Sequence, residues 1–446
     1  MKDVNNKYLL KLNKEILQEK LIYFFIFLIC SLIFLRDVIL LPINKVIFLG
    51  LYGIAFLLLE SKNIILIMIF TVPFFNGLPG NYILLLAIIT LMLKKDFKLT
   101  FAKVSLPITI LCAELYHSLF YNANVSTIMD IFRYMTYIIF ICFVIFDRHI
   151  KINYRKCLRM FSLGVIFMCI IIFCTTLKYY PLETISNGTF RYGDLTGVGD
   201  NGEMVLKNNQ NNIGYYCALA ISVLLLLNTC EKPNRIINFI SIIIVVIFGI
   251  LTMSRAFLLT SIGITFLYYL LISNNAFKLL KNSIISITIL LILIFLLNCI
   301  FPNVVIGIVE RFQEVDISNG RSGIFQLYNQ FLFENTKYFL EGMGIFGMHI
   351  ISGVSVAPHN GFQQIVLSYG IIGFIIFTIF FINVVNISRL GMKRIPIVSY
   401  LPFICMIIYI QSIQFIYPFE LMLPFIVCVF SIRMKAEASN KSKCIL

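Results

Sequence analysis

The chain has 446 residues, of which 60% are hydrophobic and only 13% charged. Soluble domains are about a quarter charged, so a single soluble core is excluded and lipid has to serve as part of the solvent. The net charge of +15 would suit a nucleic-acid partner, but the placement of the basic residues argues for no nucleic acid.

Residues 1–20 carry five lysines ahead of an apolar run at 21–35. No small-residue cleavage site follows, so a retained first helix is expected. A spanning helix needs about 20 apolar residues. Fourteen candidate runs follow in chain order, centred near 28, 52, 69, 87, 112, 137, 168, 221, 244, 265, 292, 374, 403 and 424. The third and fourth are the shortest, and re-entrant segments are the alternative there. The expected fold is an all-α, polytopic integral membrane protein with 12–14 transmembrane helices and two long extracytoplasmic loops. Residues 1–177 form the first membrane region, 178–212 a loop, and 213–301 the central helices. Residues 302–360 form the larger loop, and 361–446 the last helices and a tail.

Placing the N-terminus in the cytoplasm and alternating makes 1–20, 60–62, 94–103, 147–159, 230–235, 274–282, 387–395 and 433–446 cytoplasmic. These segments hold 26 of the 36 Lys and Arg residues, which is the asymmetry of the positive-inside rule. Both termini are then cytoplasmic, in the plasma or inner membrane, and the basic charge faces anionic lipid. Without tryptophan, the interfacial belt rests on 22 tyrosines and on Lys and Arg. The twelve cysteines are no disulfide framework. Cys112, Cys142, Cys169, Cys217 and Cys405 sit inside apolar runs, and no CxxC pair or metal-ligand spacing occurs.

Three predicted helices enter the membrane from the external side after a polar cluster: Asn208 to Asn212, Ser254-Arg255 and Pro358-His359-Asn360. Their N-termini present free N–H groups and partial positive charge, which favour phosphate. Arg255 at such an end is disfavoured by the helix dipole unless an anion is near. A snorkelling interfacial arginine is the structural alternative. His359 beside a helix N-terminus should stay neutral and can accept a proton near pH 7; its bland reading is a polar cap. Arg191 and Arg321 suit bidentate phosphate contacts, or are solvated loop charges. Loop 302–360 is slightly acidic, with Arg311, Arg321 and Lys337 against five carboxylates, so individual arginines would have to hold an anion there. Glu114, His117, Asp130 and Arg133 read first as a structural ion-pair cluster, with Gln414 and Glu420 as candidates for a shared cavity. The GxGxxG match at Gly342 to Gly347 lacks the strand and βαβ unit of a dinucleotide site. Asn124-Val125-Ser126 and Asn187-Gly188-Thr189 are sequons, meaningful only in a eukaryotic secretory pathway. No P-loop, DxD-type pair or Ser/His/Asp set occurs, so a mechanism without metal or other cofactor is the simpler expectation.

Several of these segments occur together in order. They are Phe190-Arg191, Asn211-Asn212-Ile213-Gly214, Met253-Ser254-Arg255-Ala256, Arg311-Phe312, Gly320-Arg321-Ser322, Gly342-Met343-Gly344 and His359-Asn360 with Gly370 and Gly373 behind. Over residues 185–380 the chain resembles the superfamily of bacterial O-antigen polymerases and O-antigen ligases. Ala357-Pro358 departs from the Ser or His often found before the histidine. The resemblance implies a GT-C-like, inverting, metal-independent glycosyltransferase, a polymerase that joins polyprenyl (undecaprenyl) pyrophosphate-linked repeat units into O-antigen, capsular or exopolysaccharide on the external face. For such a reaction Arg191, Arg255 and Arg321 are expected on the pyrophosphate, and His359 with Arg255 in catalysis. Asn211, Arg311, Asn360, Arg133 and Glu114 are expected in support. A flippase and a chain-length regulator are the implied partners. A ligase, or a flippase for the same lipid, is the alternative function.

Overall fold

The computed structural model describes residues 2–120, 125–180, 192–193, 209–230, 234–273, 275–313, 321–345, 358–389 and 397–443. Every regular element among them is helical. The helices are α1 (Lys2–Asp37), α2 (Lys45–Leu58), α3 (Ser61–Thr71), α4 (Gly80–Leu93), α5 (Phe101–Phe120), α6 (Val125–Ile145) and α7 (Tyr154–Tyr179). They continue as α8 (Gln210–Cys230), α9 (Arg235–Leu251), α10 (Arg255–Ile272), α11 (Ala276–Ile300) and α12 (Pro302–Gln313). The last are α13 (Arg321–Glu334), α14 (Thr336–Glu341), α15 (Gly361–Arg389), α16 (Leu401–Ile410) and α17 (Pro424–Lys443). Each of the fourteen predicted runs falls on a helix. Seven helices are long and apolar enough to cross a membrane, and five more apolar helices are 10–17 residues long. The protein is therefore an all-α, polytopic membrane protein. Helices suit that medium because they satisfy their own backbone groups without water.

Helix α8 sits at the centre, packed by α7, α9, α10 and α16. Of its apolar window 83% is buried within the protein, against 6% for α11. The more apolar of the two is the less buried, with mean hydropathy 2.8 for α11 against 1.8 for α8, so α8 is core and α11 is a peripheral helix whose Leu and Ile side chains meet lipid. Exposed apolar side chains on α1, α2, α9, α10, α11 and α15 form far more apolar surface than a soluble monomer shows.

Polar contacts sort to two opposite ends of the bundle. At one end Gln18 donates to the Leu58 carbonyl (3.1 Å) and accepts from Glu60 N–H (3.0 Å) and Asn63 (2.9 Å). At the other, Arg36 donates to the Gly77 carbonyl (2.6 Å) and pairs with Asp37 (2.5 Å). The helical rise sets Gln18 and Arg36 about 27 Å apart on α1. Residues 63–77 therefore traverse roughly the hydrocarbon thickness, and α3 with the 3₁₀ turn Val72–Gly77 crosses instead of re-entering. Helix α4 returns, since Ser61 Oγ donates to Asp96 (2.6 Å). The same end holds the buried Lys103–Asp147 pair and Arg433, which donates to the Ile145 carbonyl and to Ser388. Segments 1–20, 60–62, 94–103 and 147–159 thus meet on one face, here called the lysine face, and the opposite end is the cavity face.

Lys103 and Asp147 are 1% and 0% exposed. Removing one partner of such a pair leaves an uncompensated buried charge. Lys103→Met should therefore cost about 3–5 kcal/mol, read as a lowered Tm in detergent, whereas substitutions of the exposed Lys278 should leave Tm unchanged.

Candidate functional site

At the cavity face, α8 begins after Asn209, whose side chain accepts from Asn211 N–H (2.9 Å). Helix α10 begins after Ser254, whose Oγ caps Phe257 N–H (3.4 Å). Helix α15 begins after Asn360, whose Oδ1 accepts from Phe362 (3.0 Å) and Gln363 (3.1 Å). Each cap is a short polar side chain that prefers this position because it takes up an orphan helical N–H. Helix α13 begins at Arg321 itself. These four N-termini surround one cavity of about 400 Å³.

The cavity wall includes Arg255, Arg311, Arg321, His359, Asn211 and Asn360. Three arginines stand on it, and none of its described lining residues is acidic. Arg255 Nη1 donates to the Arg311 carbonyl (2.6 Å), and Arg311 Nη1 donates to the Met253 carbonyl (2.9 Å). Two cations are thereby clasped side by side. Met253 adopts a left-handed backbone (φ 51°), a costly geometry outside glycine, in the tight turn that offers this carbonyl. Arg321 Nη1 donates to the Ser412 carbonyl (3.0 Å). Burial, with Arg255 and Arg311 nearby, pulls the Arg321 pKa down from its ordinary value. Burial first, and then the Arg321 charge, lowers the His359 pKa below 6.5. The imidazole is thus neutral near pH 7, while the guanidiniums remain cationic. Positive charge from three side chains, reinforced by four helix ends, gives the cavity the chemistry to hold an anion with several oxygens.

Close packing holds the frame. The Tyr409 hydroxyl donates to the Asn211 carbonyl (3.1 Å) and meets Ser254 Oγ at 3.3 Å, and Ser254 Oγ donates to Asn211 Oδ1 (3.2 Å). This network sits against Gly214, where an added Cβ would lie 2.5 Å from the Tyr409 hydroxyl and 3.1 Å from Phe257 Cβ. Buried Gln364 accepts from the Phe415 and Ile416 N–H groups (2.8 and 2.8 Å). Gln363 donates to the Phe325 carbonyl and to Asn329 (2.9 and 2.9 Å), which ties α13 to α15.

The GxGxxG segment has a structural role. Helix α15 breaks at Gly370 (φ 64°), leaving carbonyls without helical partners. The Leu367 and Ser368 carbonyls accept from Met343 N–H (2.9 Å) and Gly344 N–H (2.8 Å). A Cβ on Gly370 would lie 2.1 Å from the Leu340 oxygen, and one on Gly342 2.4 Å from the Ser368 carbonyl. Both glycines are needed for the chain to splice into the break.

Two expected supporting residues lie elsewhere. Arg133 pairs with Asp130 (2.8 Å) with its side chain 47% exposed, because i,i+3 spacing brings them together on α6. Glu114 is buried and accepts from Ile345 N–H (3.2 Å), so it anchors the loop after α14. Neither lines the cavity, and nor do Gln414 and Glu420. Arg191, Asn124, Asn187, Glu314 and Asp316 lie outside the described residues. Gln411 and Ser412 line the cavity and were missed. Their signal was a polar pair ending the apolar run at 401–410, three residues before the favoured Gln414.

Gly214→Ala should destabilise by about 1–3 kcal/mol, the usual range for overpacking, and loosen Asn211. Gly263→Ala, where nothing lies within 4 Å of an added Cβ, should gain about 0.5–1 kcal/mol from helix propensity. Thermal unfolding of the two variants in detergent reads the contrast. A scan against protein-family models and a search of curated proteins both found no match to this chain.

Proposed function

We propose that this chain is a polymerase that joins polyprenyl-pyrophosphate-linked oligosaccharide repeat units into a surface polysaccharide. The reading rests on one observation: three arginines and a neutral histidine line a single cavity at four helix N-termini, on the face opposite the lysines. By the positive-inside rule the lysine face is cytoplasmic, so both termini are cytoplasmic and the reaction takes place on the external side of the cell membrane. The site lies at one end of the bundle and not at mid-membrane, which favours transfer over transport.

The acceptor hydroxyl of one lipid-linked unit attacks the anomeric carbon of a second glycan. The bond from that carbon to the pyrophosphate oxygen breaks, and the polyprenyl pyrophosphate leaves. Attack from the opposite face inverts the anomeric centre. Arg255, Arg311 and Arg321 neutralise charge that grows on the leaving group, so their effect is largest in the transition state. His359 takes the hydroxyl proton. Asn211 and Asn360 keep their helix ends aimed at the site. Arg191 joins the arginines on the pyrophosphate, and a flippase and a chain-length regulator act beside the enzyme.

Purified protein supplied only with lipid-linked repeat should lengthen it, whereas a ligase would need a different acceptor. Arg321→Ala should lower kcat about 100- to 1,000-fold, as for loss of one charge-stabilising donor. Arg321→Lys should rescue it only partly, since lysine lacks the bidentate fork. Unchanged glycan ladders from correctly inserted His359→Ala or Arg255→Ala protein would refute the assignment.

The pH profile gives a separate test. His359 must be neutral to accept the proton, and its pKa lies below 6.5. Activity should therefore persist as pH falls through 6.5 and decline only below it. In His359→Ala the residual activity should lose this acid limb.

A further inference from the structure

The lysine face carries a second cavity, of about 550 Å³, remote from the arginine site. Its wall is built by α1, the α2–α3 joint, the turn after α4 and the turn after α6. It presents Lys14, Lys62, Lys94, Lys95 and Lys151 against Glu60 and Asp96, five cations to two carboxylates, with His149 beside them. Glu60 is taken by Lys14 (2.8 Å) and Lys62 (3.2 Å), and Asp96 accepts from Ser61 (2.6 Å). Lys95 and Lys151 make no hydrogen bond or ion pair with any described residue. Positive charge is thus left over inside a concave site.

The walls are set in advance. Gln18, 8% exposed, bridges α1 to Leu58, Glu60 and Asn63. The Asp147 carboxylate, paired with Lys103, also accepts from the His149 and Ile150 N–H groups (2.8 and 2.8 Å). That holds the turn which places His149 and Lys151 on the wall.

A second observation points to the occupant. The cavity opens beside an apolar rim. Leu58 lines it and is 54% exposed, while Leu57 and Leu93, adjoining the lining residues Leu58 and Lys94, are 72% and 78% exposed. Large exposed leucines belong to the lipid-facing surface of a membrane protein. A water-soluble phosphate compound would gain nothing from them. A molecule with an anionic phosphate head and hydrocarbon tails uses both halves of the site, and basic pockets between helices on a cytoplasmic face suit lipid headgroups.

We propose that this cavity binds the phosphate headgroup of an anionic membrane phospholipid, with the acyl chains lying along Leu57, Leu58 and Leu93. The site is independent of the transfer reaction, and its test needs no glycan substrate.

The full-length protein in neutral detergent is titrated with phosphatidylglycerol, with phosphatidylcholine of the same chains, and with inorganic phosphate, while Tm is followed. A ligand of the folded state raises Tm. Phosphatidylglycerol should raise it by several degrees, and the other two should leave it unchanged. Lys95→Gln/Lys151→Gln, two exposed positions, should keep the lipid-free Tm and lose most of the phosphatidylglycerol shift. Lys278→Gln/Lys281→Gln, at the start of α11 on the same face, should keep that shift. The proposal is overturned if phosphatidylcholine or inorganic phosphate matches phosphatidylglycerol, or if the two double variants lose the shift equally. Should Lys95→Gln/Lys151→Gln unfold, Lys151→Gln alone carries the same comparison.

Discussion

A helix in lipid satisfies its own backbone except at its ends. The first N–H groups of each span stay unmet, and together they carry partial positive charge. In this protein α8, α10, α13 and α15 all start around the same 400 Å³ cavity. Asn360 caps α15 from within the wall, and Ser254 caps α10 next to the lining residue Arg255. Arg255 and Arg321 then add full charges at helix N-termini, which disfavour cations, and Arg311 adds a third beside them. An anion in the cavity would offset that charge.

Close approach of the helices is what permits the convergence. Gly214 lets α8 come against Tyr409 and Phe257, and Gly361 lets the start of α15 lie against Ile410 and Phe415, each within a distance that a Cβ would block. Tyr409 then reaches both Asn211 and Ser254. The break at Gly370 serves the same end. It receives the backbone of Met343 and Gly344, so the segment after α14 is pinned to α15. A small core of Tyr328, Leu332, Met343 and Leu367 seats α13 over α15, and this places Arg321 at the cavity.

The two faces divide the charge by chemistry as well as by number. Guanidiniums, whose fixed planar donors suit several oxygens at once, line the cavity. Ammonium groups dominate the other face, and each offers a compact point charge without a planar fork. Each end also holds a buried ion pair, Arg36 with Asp37 at one and Lys103 with Asp147 at the other. An unpaired ion would pay a large desolvation penalty there.

The amino-acid sequence by itself determined the all-α membrane class, the positions of the apolar helices and the two-faced distribution of basic residues, though not α12, α13 and α14, which fold within the stretch read as a loop. All three follow from local hydrophobicity and from the bias of Lys and Arg, which are readable one segment at a time. It also singled out Asn211, Arg255, Arg311, Arg321, His359 and Asn360, because each stands at a helix end or in a polar loop. Only the tertiary structure decided that these six share one wall while Glu114 and Arg133 serve elsewhere. Position along the chain shows which end of a helix a residue occupies, but not which neighbouring helix that end meets. The same reason hid Gln411, Ser412 and Tyr409, whose roles arise from contacts made across distant parts of the chain. The GxGxxG run is the sharpest case: its meaning depends on a break in α15 more than twenty residues away, visible only once the two backbones lie side by side.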